Sequence, residues 1–200
     1  FAVRLEYLVS AINEEMLKKI TENQKSKEDL DIDQEEAVRT AKTVALSAIK
    51  YGDLSNQASK DYIFDIDRFT SFEGNTGPYI LYTIVRIKSI LSKYEAMGKE
   101  VSACSSVIKA ADSENEKNLM LVLSRFNAVM ENAFEETAPH KICAYIYELA
   151  NAFNGFYHGT KILSEENEMI QKSYIAVLCL TKSILETCID VLGFSAPDRM

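Results

Sequence analysis

Apolar residues recur at steps of three and four along most of the chain, the spacing that places them on one face of an α-helix. Residues 4–23 show the pattern first, with Leu5, Leu8, Ile12 and Met16 on one face. The same spacing predicts helices over residues 34–51, 78–96, 100–111, 114–134 (one helix or a broken pair), 139–154 and from 164 to just before 193. The pattern predicts an all-α protein whose C-terminal half is an antiparallel helical bundle, preceded by a mostly helical segment.

Residues with helix-capping chemistry mark the expected helix ends. Asp33 with Glu36, and Ser113 with Glu116, each have the spacing of a capping box. Ser164 precedes several acids, which favours a helix N-terminus because negative charge there complements the helix dipole. Prolines suit a first helical turn and glycines suit the position after a last turn; the residues concerned are Pro78, Pro139, Gly52, Gly98, Gly155 and Gly193.

The helical pattern is interrupted between residues 61 and 78. Residues 61–68 alternate apolar and charged side chains, which predicts an extended segment or a short strand leading into a helix that starts at Asp65 or Asp67. The following segment, Phe72–Pro78, is the densest group of turn-forming residues in the chain. We expect its two glycines and its asparagine to allow the backbone to approach a ligand closely.

The helix predicted after Pro78 carries a polar stripe. At 100° per residue, Tyr79, Tyr82, Arg86, Ser89 and Lys93 fall within an arc of roughly 80°, while most apolar residues of the helix face the other way. Aromatic rings beside cations suit unpaired nucleobases, because the rings stack on the bases while the cations meet phosphates. By spacing alone, a tyrosine pair of this kind more often belongs partly to the core or makes a helix-packing contact; the loop before the helix is what favours a ligand.

Composition and charge narrow the possible functions. The chain has 200 residues, of which 47% are hydrophobic and 26% charged, and this composition is typical of a globular protein. Its formal charge of −8 argues against sequence-blind binding of polyanions, so DNA is not an expected partner. No apolar run is long enough to span a membrane. The four scattered cysteines favour reduced thiols in a cytoplasmic protein. Because the chain begins at Phe1, we expect it to be a piece of a longer protein.

No arrangement of residues predicts a catalytic site or a metal site. His140 and His158 have no acidic or thiol neighbour at metal-ligand spacing. Asp65 and Asp67 could serve acid–base chemistry, but a helix cap is the simpler interpretation. The common phosphate-binding loops and the serine nucleophile elbow do not occur. We therefore expect no catalytic residues, no metal and no cofactor in this chain.

Several blocks of the sequence resemble arginyl-tRNA synthetases. The resemblance is close from about residue 45 to residue 200 and loose before that, and the blocks that carry it are AIKYGDLS (48–55), DYIFDIDR (61–68), SFEGNTGPY (71–79), PHKICAYIYELA (139–150) and DVLGFSAPDRM (190–200). It implies that residues 1–71 are the end of a class I catalytic region that contacts the inner corner of the tRNA. Residues 72–200 would then be a DALR-type anticodon-binding domain.

The resemblance also implies a function for the parent protein. That protein would be a monomeric, cytoplasmic ligase that attaches arginine to tRNA-Arg with ATP and Mg²⁺. The family's two nucleotide-binding signatures are not in this chain, so we expect the chain alone to be inactive. The alternatives are another DALR-type domain, as in cysteinyl or glycyl enzymes or a non-catalytic paralogue, and a helical module that binds a protein.

The family's anticodon-contacting positions can be transferred residue by residue. They fall on Phe72, Glu73, Gly74, Asn75, Thr76, Tyr79, Tyr82, Tyr157 and Met200. Two of these tyrosines already belong to the polar stripe found from helical spacing. The same stripe suggests Arg86 and Lys93 as phosphate contacts, which is our own addition to the family pattern.

Overall fold

The computed structural model describes residues 4–25, 33–104 and 107–200, and no β-strand occurs in these ranges. They form eight α-helices and a 3₁₀ turn: α1 (Leu5–Lys25), α2 (Gln34–Leu54), α3 (Ile66–Phe69), α4 (Gly77–Ala96), the turn Ser102–Cys104, α5 (Glu114–Ser124), α6 (Phe126–Glu135), α7 (Pro139–Gly159) and α8 (Glu168–Val191). The all-α prediction is confirmed. None of the described helices is both long and apolar enough to cross a membrane.

The helices pack around one continuous apolar core. α2 packs against both α1 and α4, and α4 packs against α8. α7 is central, because it contacts α2, α4, α5, α6 and α8. The core extends from Ile12 and Met16 of α1 to Leu185 and Ile189 of α8, all of them fully or almost fully buried. The face of α7 that remains outside this core is therefore held in place by helices on several sides.

The predicted helix starts are mostly confirmed by side-chain caps. Asp33 Oδ1 accepts a hydrogen bond from the Glu36 N–H at 2.7 Å, and Ser113 Oγ accepts one from the Glu116 N–H at 3.2 Å. The reciprocal half of the second box is displaced, since the buried Glu116 carboxylate accepts from the Asp112 N–H at 2.8 Å. Asp65 caps α3, so the interpretation of that acid as a cap is confirmed.

Two glycines expected after helix ends lie inside helices instead. α2 continues through Gly52 to Leu54, and a Cβ atom at Gly52 would lie 2.3 Å from the Phe69 ring. α7 likewise continues through Gly155 to Gly159. Gly52 leaves room for the Phe69 ring, and Gly155 faces open space, so neither glycine marks a helix end. Gly98 and Gly193, with φ values of 75° and 82°, do follow helix ends as predicted.

Two further helix predictions are wrong. In place of a helix over 100–111 there is only the turn Ser102–Cys104; residues 105 and 106 lie outside the described residues, and 107–112 are not helical. There the Lys109 N–H donates to Ser173 Oγ of α8, so a tertiary contact replaces a helical hydrogen bond. α8 starts at Glu168 and not after Ser164, because the Asn167 side chain caps it by accepting from two backbone N–H groups.

Candidate nucleic-acid interface

The start of α4 is set by a cap and a close helix contact. Thr76 Oγ1 accepts from the Tyr79 N–H at 3.2 Å and donates to the Ser71 carbonyl oxygen at 2.6 Å. Gly77 is buried, and a Cβ atom there would lie 2.3 Å from the Ser47 carbonyl oxygen. The close approach expected at Gly77 is therefore an approach to the backbone of α2, and our expectation of a ligand there is wrong.

The loop before α4 remains accessible. Glu73, Gly74 and Asn75 are exposed, whereas Phe72 is half-buried and packs against the core. Gly74 has a φ of 80°, a conformation that side-chain-bearing residues rarely adopt. The buried Tyr51 hydroxyl lies 2.5 Å from Asn75 Oδ1. One side of the loop is thus attached to α2, and its outer residues face solvent.

Tyr79 is part of a hydrogen-bonded chain that crosses from α4 to α7. Arg86 Nη1 donates to Asn154 Oδ1 at 2.5 Å, Asn154 Nδ2 donates to the Tyr79 hydroxyl at 2.8 Å, and that hydroxyl donates to Asn151 Oδ1 at 2.7 Å. Burial raises the pKa of the Tyr79 phenol, so it keeps its proton as a donor. The Tyr147 ring lies edge-on to Tyr79, with their centres 5.8 Å apart. Tyr79 is therefore half-buried and fixed in orientation.

Tyr82, Arg86 and Tyr157 form a second arrangement on the same face. The Arg86 guanidinium carbon lies 4.7 Å from the centre of the Tyr82 ring and 5.1 Å from that of the Tyr157 ring. Both distances are within the range of a cation–π interaction. Tyr157 also stacks on the buried Phe153, at 6.0 Å between ring centres. The cation is thereby held between two aromatic rings at the surface.

These residues line an open cleft of about 670 Å³, which we call the tyrosine cleft. Tyr82, Arg86 and Lys93 come from α4, and Tyr157 comes from α7. The last wall is formed by residues 198–200. Rings, cations and an open mouth occur together here, which are the features that a single-stranded nucleic acid requires.

The chain end is held against the cleft by ion pairs. Lys88 Nζ lies 3.1 Å from Asp198 Oδ1 and 3.2 Å from the Pro197 carbonyl oxygen. Arg199 makes two hydrogen bonds, at 2.8 and 2.7 Å, to the carboxylate of Glu36 at the start of α2. Met200 is half-buried and packs against the core. The side chain of Met200 therefore forms part of the cleft wall.

The structure brings together some of the residues suggested by the sequence, but not all. Tyr82, Arg86, Lys93, Tyr157 and Met200 line one cleft. Tyr79 lies beside the cleft without lining it, on the ridge formed with α7. The loop residues Phe72, Glu73, Gly74, Asn75 and Thr76 do not line it either, and lie at the N-terminal end of α4.

The sequence did not point to four residues that the structure places at or beside the cleft: Tyr147, Asn151, Asn154 and Lys88. A signal for three of them was available, because positions 147, 151 and 154 recur at steps of four and three and so share one face of α7, next to the face of Tyr157. The contact between Lys88 and the chain end could not be inferred from local spacing, since the two are about 110 residues apart.

Family profiles match most of the chain. The profile described as "DALR anticodon binding domain" matches residues 80–200, and the one described as "tRNA synthetases class I (R), catalytic domain" matches residues 2–66. The tyrosine cleft and the ridge beside it lie almost wholly within the first match.

Curated relatives and solved structures agree with these matches. The chain is 75% identical over 198 residues to an arginine–tRNA ligase of Agathobacter rectalis and 50% identical to one of Alkaliphilus oremlandii, covering 99% of this chain in each case. It spans about one third of their lengths, 33% and 32%. The arginyl-tRNA synthetase of Plasmodium falciparum superposes with a TM-score of 0.84 at 29% identity, over 99% of this chain and 34% of that one. The Thermus thermophilus enzyme gives 0.83 at 26% identity, over 100% and 32%.

Proposed function

Because the chain belongs to the arginyl-tRNA synthetase family and carries its DALR anticodon binding domain, we propose that it is the part of an arginine–tRNA ligase that reads the anticodon loop of tRNA-Arg. The parent enzyme would then attach arginine to that tRNA. The observation that carries the proposal is the tyrosine cleft, where Tyr82 and Tyr157 flank Arg86 and Met200 closes one wall.

The cleft has the chemistry needed to hold an unstacked base. Sequence-specific recognition of RNA targets loops, because only unpaired bases can be turned outward and stacked on aromatic rings. Tyr82 and Tyr157 offer such rings, and Arg86 offers a planar cation that can stack or meet a phosphate. Lys93, exposed at the edge of the cleft, would neutralise a neighbouring phosphate. The helices position these groups before the RNA arrives, which reduces the entropic cost of binding.

The exposed loop before α4 would make a second set of contacts. Backbone groups at Glu73 and Gly74 and the Asn75 side chain are accessible at the N-terminal end of α4. Tyr79 contributes mainly by fixing its neighbours Asn151 and Asn154, and its ring edge is available beside the cleft. We infer that loop and cleft contact different nucleotides of one anticodon loop.

Activation of arginine would take place outside this chain. The reaction of a class I synthetase uses ATP and Mg²⁺, but the described residues include no group of three His, Cys, Asp or Glu side chains that could hold a metal ion. We expect the parent to act as a cytoplasmic monomer and this chain to be inactive alone.

Replacing the cleft tyrosines tests the proposal. In the full-length gene product, Tyr82→Ala and Tyr157→Ala should each weaken binding of tRNA-Arg by about 1–3 kcal/mol, the usual contribution of a base–aromatic stack. The Tyr→Phe versions retain the ring and should lose much less. Phe134→Ala, at an exposed aromatic ring on α6 that does not line the cleft, is the control and should have no effect. A fluorescence titration against intact and anticodon-mismatched tRNA measures all of these.

The same titration distinguishes the proposed function from the competing interpretation that the chain is a protein-binding module. A helical module that binds a protein would show no preference for the correct anticodon, and the alanine variants would leave tRNA binding unchanged. Either result, with circular dichroism showing an intact fold, would overturn the proposed function.

A further inference from the structure

A second cleft lies on the other side of the exposed ridge of α7. It has a volume of about 510 Å³ and lies between α5 and α7. We call it the asparagine cleft, because three carboxamide side chains line it together with an aromatic ring and a glycine: Asn115, Asn118, Asn151, Tyr147 and Gly155. Neither the polar stripe of α4 nor the positions transferred from the family include any of these residues.

The cleft is open because α7 presents no side chain at Gly155. A Cβ atom there would lie 3.8 Å from Asn115 Oδ1, an ordinary contact that would occupy space now empty. One turn later, a Cβ atom at Gly159 would lie 2.9 Å from Asn115 Nδ2. α5 can therefore approach α7 at this end, while a gap remains next to Gly155.

The polar groups of the cleft are neutral and accessible. The side chains of Asn115 and Asn118 are exposed and make no hydrogen bonds with other residues that the structure describes. The one acid at the rim, Glu148, is paired with Arg125 at 2.6 Å. A carboxamide carries both a donor and an acceptor, and this is the pairing that matches the edge of a nucleobase. None of the lining residues is a cation, so the chemistry suits a base and not a phosphate.

The asparagine cleft is connected to the tyrosine cleft by the hydrogen-bonded chain across the ridge. That chain starts at Arg86 in the tyrosine cleft and ends at Asn151 in the asparagine cleft. At 100° per residue, Tyr157 and Gly155 lie about 160° apart on α7, with the ridge residues between them. A nucleic-acid strand that crosses the ridge would thus meet rings on one side and amides on the other.

We propose that the asparagine cleft binds a second unpaired nucleobase of the RNA whose first base occupies the tyrosine cleft. Asn118 and Asn151 hydrogen-bond the edge of this base, and Tyr147 contacts its face. The inference rests on the proposed function, since it takes the RNA to be already bound at the ridge.

The test combines protein variants with abasic RNA, using the full-length gene product. Asn118→Ala removes a carboxamide, and Gly155→Leu fills the cleft with a side chain that favours helix. Controls lie on the exposed surface of α6, away from both clefts: Asn127→Ala makes the same change as Asn118→Ala, and Ala128→Leu introduces a leucine on an exposed helix face. Each protein is titrated with intact tRNA-Arg and with versions that lack one base at each anticodon-loop position in turn.

The two cleft variants should weaken binding of intact tRNA-Arg about 5- to 10-fold, the effect of losing one or two hydrogen bonds to the base. In the unmodified protein, removing a base that the protein binds should weaken tRNA binding. In the two cleft variants, removing one particular base should cause no further loss, and this base should differ from the one whose removal has no further effect in Tyr157→Ala. If the unmodified protein prefers the correct anticodon but every abasic penalty persists in both cleft variants, this inference alone is wrong. If it shows no anticodon preference, the proposed function fails and the inference with it.

Discussion

The two walls of the tyrosine cleft are built in different ways. The first wall consists of α4 and α7, whose backbones are packed into the core and whose side chains are linked by a hydrogen-bonded chain and by ring contacts. The second wall, residues 198–200, belongs to the segment 194–200, which has no helix or strand. This segment is attached to the helices by the polar contacts of Lys88 and Glu36 and by apolar packing of Phe194, Ala196 and Met200. The first wall is thus built from packed helices, whereas the second is a non-helical segment held by both polar and apolar contacts.

This difference determines how firmly each wall of the cleft is held in place. Helical packing fixes the side chains that would stack on a base, because many contacts hold each of them in position. Surface ion pairs are weak and sensitive to salt, so the polar attachments of the tail contribute little to stability compared with the packing of the helices. The first wall is therefore the more firmly positioned of the two, and the attachment of the second depends more on ionic strength.

The largest effect is expected where the helical wall meets the rest of the protein. Gly77→Ala would place a Cβ atom 2.3 Å from the Ser47 carbonyl oxygen, so the backbone of α2 or α4 must shift. We expect a loss of about 3 kcal/mol in the free energy of unfolding, the upper end for an overpacked site. Urea denaturation measures it.

Gly155→Ala is the matched control for that change, since it also adds a methyl group to a glycine in a helix. Here the added Cβ atom has space, and removing a helical glycine should raise stability by about 0.5–1 kcal/mol. Equal effects of the two alanines would show that contact with α2 does not set the position of α4.

An intermediate effect is expected where the tail is attached to α4. Lys88→Met retains the aliphatic stem but removes the charge that binds Asp198 and the Pro197 carbonyl oxygen. We expect the free energy of unfolding to fall by about 1–2 kcal/mol, near the lower end for hydrogen bonds to a charged group because Asp198 is exposed, and amide hydrogen exchange in residues 194–200 to become faster. Lys172→Met, which removes a lysine paired within α8, should leave exchange in the tail unchanged. If residues 194–200 exchanged at the same rate in Lys88→Met and in Lys172→Met, the role assigned to Lys88 would be wrong.

The smallest effect is expected at the second attachment of the tail. Glu36→Gln removes the carboxylate that pairs with Arg199 and should cost about 0.2–1 kcal/mol at low salt. In thermal unfolding, the difference in unfolding temperature between the variant and the unmodified protein should disappear as the salt concentration is raised. Glu35→Gln, one residue earlier on the same helix, is the control and should have less effect, because its contact with Arg39 is longer, at 3.7 Å. A difference that persists at high salt would rule out an ion pair as its cause.

Local spacing in the sequence predicted which side chains of α4 line the tyrosine cleft. The helical angle placed Tyr82, Arg86 and Lys93 on one face, and these three do share the cleft. That prediction succeeds because α4 is a regular helix, so angular position follows from residue number. The positions on α7 and at Met200 came from the family resemblance, since no local pattern relates them to α4.

Glycine was the residue type that the sequence predicted least well. Gly52 and Gly155 were expected to end helices, and Gly77 was expected to face a ligand. A glycine that ends a helix and one that admits a neighbouring helix look the same in a single sequence. Only the position of the neighbour, such as Phe69 beside Gly52, distinguishes them.

By itself the sequence determined the all-α class, the main helix caps and the face of α4 that carries aromatic rings and cations, because each depends on residues a few positions apart. Only the tertiary structure decided which residues complete the clefts. Asn154 meets Tyr79 and Arg86 across 75 and 68 residues, and Lys88 meets the tail across 110. Contacts between residues so far apart arise from the packing of the whole bundle, which no short stretch of sequence specifies.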